Sequence, residues 1–210
     1  MSDSPDNNDP LWTPEYTEGY RTDYAPDYKK VVEWALSSLT QLYSNLAPSQ
    51  ILDLGCGAGY STRLLRDRFA RTKITAIDIC KDGIRICPTL KLVDFIHGTL
   101  ESLRSGEKIQ DESFELVFSS FVTYDPSEHE EANYELLVDD YLHALTADGI
   151  GMFVHNGKDC ERFLAATNHC HSFVEYGDKT LRPVKAEWKI IAGVEYGFVI
   201  ACALENNFHT

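Results

Sequence analysis

A chain of 210 residues with 33 acidic against 19 basic side chains, a formal net charge of −14, lacks the basic surface that neutralises phosphates, which excludes DNA or RNA as its substrate. Its length supports one domain with a substantial core, and no run approaches the roughly 20 apolar residues of a membrane span. The six cysteines (Cys56, Cys80, Cys87, Cys160, Cys170, Cys202) form no C-x-x-C pair and read as reduced thiols; with a polar, acidic start from Met1 to Pro10, the expected location is cytoplasmic.

Residues 1–25 are rich in Asp, Pro, Asn and Tyr, a flexible composition. Within and just beyond them Trp12, Tyr16, Tyr20, Tyr24 and Tyr28 recur every four residues, although Pro14, Gly19 and Pro26 interrupt a continuous helix. From Asp27 to about Asn45 the apolar positions Val31, Val32, Ala35, Leu36 and Leu39 repeat at helical spacing. A strand at 50–54, a helix at about 60–70 and a strand at 74–78 follow. A helix near 81–91 is shortened by Pro88, and strands are expected at Leu92–His97 and Phe114–Ser119. A long helix at about 128–146 stops before Ala147-Asp148-Gly149, after which Ile150 to His155 reads as the fifth strand. Gly157 to about Asn168 is another helix, and the tail from Phe173 to Leu204 holds at least two strand-like runs. This alternation predicts an α/β architecture, a mainly parallel sheet with helices on both faces.

The most specific stretch is Ile51-Leu52-Asp53-Leu54-Gly55-Cys56-Gly57-Ala58-Gly59, a buried strand that turns through three glycines into a helix. Glycines permit close approach of a ligand and left-handed dihedrals, and the helix beyond presents unpaired N–H groups at its first turn. Asp53 places a carboxylate at the mouth of that turn, which suits an ammonium group and repels a pyrophosphate. The next strand ends on Asp78, positioned for a bidentate grip on vicinal ribose hydroxyls. A dinucleotide fingerprint, G-x-G-x-x-G, would need glycine where Tyr60 stands.

The pattern Asp53-x-Gly55-x-Gly57-x-Gly59 resembles motif I of the class I S-adenosylmethionine-dependent methyltransferases of small-molecule type. The resemblance implies a three-layer α/β/α Rossmann-like fold, with a mainly parallel seven-stranded sheet and a C-terminal antiparallel strand. Residues 26–210 would form the single methyltransferase domain, and residues 1–25 an aromatic lid from which Tyr16 and Tyr20 reach the cofactor. The cofactor implied is S-adenosylmethionine, leaving as S-adenosylhomocysteine, held by Asp53, Gly55, Cys56, Gly57, Gly59, Asp78, Ile79 and Ser119. Thr99 and Leu100 fall where the family often has Gly-Asp-Ala against the adenine; Leu100 reads equally as a core residue opening a helix. Leu145-Thr146-Ala147-Asp148-Gly149 is similar to the family's L-x-P-G-G connection, with one glycine kept.

The acceptor is expected beyond the carboxyl ends of strands four and five. Ser119 to Pro126 is not the Asn-Pro-Pro-Tyr loop of amide and nucleobase N-methyltransferases, nor does it carry the acid of metal-dependent catechol enzymes. The reading is therefore metal-independent in-line transfer to an oxygen or nitrogen of a small metabolite. His155 is the first candidate base and His129 the second; Tyr124, Asn156 and Trp12 are the candidate acceptor contacts. His169-Cys170-His171 lacks a partner pair for zinc, and no metal is expected. The expected assembly is a monomer or homodimer. Two alternatives stay open: a cofactor-binding protein without methyl transfer, and a nicotinamide-dependent oxidoreductase.

Overall fold

The computed structural model describes residues 25–106, 108–122, 134–169 and 179–205. Helix α1 (Ala25–Leu42) buries Val31, Val32, Ala35, Leu36 and Leu39 along one face. The chain then alternates: β1 (Gln50–Leu54), α2 (Tyr60–Arg68), β2 (Lys73–Asp78), α3 (Lys81–Arg85), β3 (Val93–His97), α4 (Leu100–Ser105) and β4 (Phe114–Ser120). It continues with α5 (Tyr134–Ala144), β5 (Leu145–Asn156), α6 (Gly157–His169), β6 (Lys179–Ile191) and β7 (Val194–Glu205).

The seven strands form one sheet in the order β3-β2-β1-β4-β5-β7-β6. β1 to β5 run parallel, and β7 is antiparallel to both of its neighbours. Central strands are apolar almost throughout because both faces are covered. Helices α1 and α2 cover Ile51, Ile74, Leu116, Phe118, Met152 and Val154 on one face. Helices α4, α5 and α6 cover Leu52, Leu54, Val117, Phe153 and Val199 on the other. The expected three-layer methyltransferase-type sheet is thus present, with the reversal of strand order at β1 and β4. Crevices for ligands open at such a reversal, beyond the carboxyl ends of the strands.

Three details differ from the reading of the sequence. Helix α3 ends at Arg85, earlier than the stretch to residue 91. Residues 128–133 of the expected long helix lie outside the described residues, and α5 ends at Ala144, with β5 beginning at once. The Ala147-Asp148-Gly149 turn is therefore internal to β5: Leu145 pairs with Phe114 but Ile150 with Leu116, so the intervening residues loop out as a bulge, with Asp148 at φ +61°. The tail folds as a hairpin whose Ile191 and Val194 pair across Ala192 and Gly193, at φ +50° and +83°. Two successive left-handed residues match the twist of a two-residue turn. Among the described residues, no helix is long and apolar enough to cross a membrane.

Candidate functional site

The glycine turn curls over the end of β2, where the N–H groups of Gly55 and Cys56 both donate to the Ile77 carbonyl, at 2.9 and 3.0 Å. Gly55, Gly57 and Gly59 stand at φ +74°, +51° and +79°. Gly59 caps α2 in this left-handed form with no side-chain capping bond, so the first turn of α2 relies on its backbone and on what lies in front of it. The Asp78 carboxylate ties the turn to the start of α3: Oδ2 accepts from the Gly57 N–H and Oδ1 from the Cys80 N–H, both at 2.7 Å. Cys56 is buried, and its thiol and that of Cys87 share the Gly57 carbonyl as acceptor.

Asp53 lies under the turn with no exposed surface. Its Oδ2 accepts from the Ser61 and Thr62 hydroxyls, at 2.8 and 2.5 Å, while Oδ1 is buried without a hydrogen-bond partner among the described residues. Burial raises its pKa to about 7, opposed by the Thr62 and Ser61 hydroxyls and aided by the negative charge of Asp78. A carboxylate with one oxygen committed and the other open is a receptor for a cationic donor. A carboxylate beneath the turn does not suit a diphosphate.

Tyr28 joins the site from α1, its hydroxyl 2.5 Å from Ser120 Oγ and its ring 5.1 Å from that of Phe121. Burial raises the phenol's pKa, so it remains protonated at neutral pH. Ser61, Thr62 and Ser120 were not among the residues singled out in the sequence. The only signal for them was position: the first turn after the glycines, and the end of β4. Ser119 turns its hydroxyl to the opposite face, 2.6 Å from the Tyr141 hydroxyl, because successive strand residues alternate.

At the neighbouring strand ends Ile79 is 66% exposed, with its carbonyl 3.0 Å from His97 Nε2. The Thr99 hydroxyl accepts from the Ser102 N–H in a capping box that starts α4. Leu100 is 1% exposed and its side chain belongs to the core, which leaves its backbone N–H, in the first turn of α4, as the group it can offer a ligand.

His155, at the end of β5, is 6% exposed. Its Nδ1 lies 2.8 Å from Asp159 Oδ2 and 2.9 Å from the Asn156 backbone nitrogen, and its Nε2 is buried without a partner among the described residues. Burial lowers its pKa and Asp159 opposes that shift. Asn156 caps α6: its Oδ1 accepts from the Asp159 N–H at 2.9 Å and its Nδ2 donates to Asp159 Oδ2 at 2.6 Å. Trp12, Tyr16, Tyr20, Tyr124 and His129 lie outside the described residues, as do Cys170 and His171. Among the described residues, no three His, Cys, Asp or Glu side chains converge as a metal-holding group.

Residues 51–146 match a protein family described as a methyltransferase domain. A malonyl-[acyl-carrier protein] O-methyltransferase from Bacillus cereus is 37% identical over 100 residues, covering 46% of this chain and 35% of the relative. One of the same name from Bacillus anthracis is 30% identical over 143 residues, covering 65% and 48%. The chain therefore spans about half, or less, of the length of these curated relatives. Among solved structures, the plantazolicin methyltransferase BpumL, in complex with a triazolic desmethylPZN analog and S-adenosylhomocysteine (SAH), superposes with a TM-score of 0.62 at 15% identity, covering 90% of this chain and 91% of that one. At that identity the likeness speaks to the fold, which is the same. Sequence match and sheet order agree: residues 51–146 are similar to methyltransferase domains, and the fold is that of the class I S-adenosylmethionine-dependent methyltransferases.

Proposed function

We propose that the chain transfers the methyl group of S-adenosylmethionine to an oxygen or nitrogen of a small-molecule metabolite and releases SAH. The observation that carries this reading is the Asp53 carboxylate, buried beneath the glycine turn with Oδ1 unpartnered. That oxygen fits the ammonium of a methionine moiety. The turn from Gly55 through Cys56 and Gly57 to Gly59 would line the same moiety, while Asp78 receives the ribose hydroxyls. Ile79 would cover one face of the adenine, with the Thr99–Leu100 backbone at its edge. Tyr16 and Tyr20 remain proposed lid contacts, and residues 26–210 the proposed catalytic domain.

When bound, the cofactor supplies a methyl on a sulfonium whose positive charge already activates it. The chain's own residues have to hold the acceptor in line and keep water out. Tyr28, Phe121 and Tyr196 supply that apolar screen, with ring centroids 5.1 and 5.9 Å from Phe121. The acceptor would enter between the ends of β4 and β5, near Asn156, Tyr124 and Trp12, with His155 and His129 as the proposed bases and no metal. The curated relatives are named for an O-methyl transfer to a malonyl carrier, which supports an oxygen acceptor. The free thiols of Cys56, Cys87, Cys160 and Cys202 support a reducing, cytoplasmic setting.

The test is calorimetry with SAH, followed by an acceptor screen that reads SAH release. SAH should bind, and Asp78→Ala should weaken it at least tenfold. Failure of the intact chain to bind SAH overturns the proposal. Binding with no turnover of any acceptor points to a cofactor-binding protein.

A further inference from the structure

Resting on the methyl-transfer reading, we infer that His155 and Asp159 form a base pair of residues for an acceptor that carries its proton at neutral pH, a hydroxyl on an apolar body rather than a carboxylate. Asp159 is the positioning residue and His155 Nε2 the site that takes the proton.

The geometry sets the tautomer. His155 Nδ1 has two neighbours that make opposite demands: the Asp159 carboxylate at 2.8 Å requires a proton on Nδ1, and the Asn156 N–H at 2.9 Å requires a lone pair. A bare nitrogen against a carboxylate is repulsive, whereas Nδ1–H to a carboxylate is a charge-assisted hydrogen bond, so the proton belongs on Nδ1. Asp159 cannot swing away to relieve the conflict. Its Oδ2 also receives the Asn156 amide at 2.6 Å, its own N–H is held by Asn156 Oδ1, and Arg162 stands 3.6 Å from Oδ1. The lone pair of the imidazole is then on Nε2, the atom that is buried and without a partner.

Position completes the argument. The His155 ring stacks on Phe153 and lies 5.2 Å from Phe121. Phe121 is tied to β5 by its N–H to the Val154 carbonyl at 2.9 Å, and its other side meets Tyr28, whose hydroxyl bonds Ser120 on the face of β4 that carries the Asp53 site. The imidazole and the Tyr28 ring thus border the same Phe121 ring, at the adjoining ends of β4 and β5. The groups bearing on its protonation are Asp159 and Arg162 on α6, the Cys160 thiol at its backbone carbonyl, Tyr134 on α5 beside Asp159, and Tyr196 on β7 behind Phe121. Burial keeps the ring neutral at pH 7.

An unpartnered acceptor atom among aromatic rings binds a hydroxyl as donor. It would repel a carboxylate, which needs no base in any case. As transfer proceeds, the acceptor O–H bond breaks and its proton goes to Nε2, an oxygen electron pair forms the bond to the methyl carbon, and the pair of the C–S bond stays on sulfur. The imidazolium formed is balanced by Asp159 and returns its proton to solvent.

The test uses the full chain, wild type, His155→Gln and Asp159→Asn, with three probes on one body: 4-ethylphenol, 4-ethylbenzyl alcohol and 4-ethylbenzoate. SAH calorimetry reads the methyl-transfer assignment separately and should give affinities within about threefold across all three proteins. Imidazole 15N spectra should show His155 neutral at pH 7 with the proton on Nδ1 in the wild type, and move towards Nε2–H in Asp159→Asn. In the SAH complex, a hydroxyl probe should shift the Nε2 resonance and 4-ethylbenzoate should not. Where a hydroxyl probe turns over, kcat should rise with pH to a plateau, and His155→Gln should lower kcat by about 10²–10⁴-fold and abolish that rise while KM changes little. Asp159→Asn should lower kcat with KM kept. A wild-type His155 with the proton on Nε2, an absent Nε2 shift with both hydroxyl probes, or turnover of 4-ethylbenzoate that survives His155→Gln overturns the inference. Loss of SAH binding by the wild type would instead overturn the methyl-transfer reading itself.

Discussion

Asp53 concentrates most of the chemistry that a single residue contributes here. Its pKa of about 7, raised by burial, lies above the unfolded carboxylate value near 3.9, so between those limits the native state holds a proton that the unfolded chain has lost. Stability from this group is therefore lost progressively as pH rises from about 4 to 7, and Asp53→Asn should flatten the slope over that window in urea-unfolding series. An ammonium ligand favours the ionised form, so SAH binding at pH 6 should release a proton and tighten towards pH 8. Calorimetry in buffers of different ionisation heat reads both, and Asp53→Asn should abolish the release and weaken binding roughly 10–100-fold, the size of a charge-assisted hydrogen bond. Tyr28 has a simpler role: Tyr28→Phe removes the bond to Ser120 and should lower unfolding free energy by about 0.5–1.5 kcal/mol, seen as a lower urea midpoint. Asp53 and Asp78 were legible in the sequence because each ends a strand-like run next to a turn. Ser61, Thr62 and Ser120 were not, because hydroxyls are common and nothing local marks which of them meets a buried carboxylate.

Among the elements, the strand-turn-helix from β1 to α2 is the most demanding. At Gly55 an added Cβ would sit 2.1 Å from Val122 Cγ2, and the backbone is at φ +74°. Gly55→Ala should therefore cost about 1–2 kcal/mol for the left-handed backbone and about 1–3 kcal/mol for overpacking. The double variant Gly55→Ala with Val122→Ala should recover the packing part and leave the backbone part, a difference that denaturant titration resolves. Full recovery would mean that the dihedral carries no penalty. Periodicity located most elements, since an apolar face repeats at 3.6 in α1 and continuous apolar runs mark β1, β2 and β4. It misread α3, which is only one turn and a half long and has too few residues for a period to show. The residues Thr146 to Gly149 misled for another reason: an Asp-Gly pair marks a tight turn, and a turn that bulges out of a strand has the same composition as one that ends a helix.

For the whole molecule, the sheet order puts β1 and β4 at the centre, and the β1 turn and the β4 end meet there to make the site. A ligand that binds only the assembled cleft stabilises it by mass action, so SAH at 100 times its Kd should add about 2.7 kcal/mol and raise Tm, whereas NADH at equal concentration should leave Tm unchanged. The glycine spacing and Asp53 were enough by themselves to point to the proposed cofactor class, and the alternation of strands and helices determined the α/β architecture, because these depend on local backbone freedom, on residues beside the turn and on periodicity. The partners of Asp53, the faces to which Ser119 and Ser120 turn, the arrival of Tyr28 and the buried imidazole beside Asp159 were decided only by the tertiary structure. Strand register, helix packing and burial act between residues far apart in the chain, and a change of one residue in register sends a side chain to the other face of the sheet.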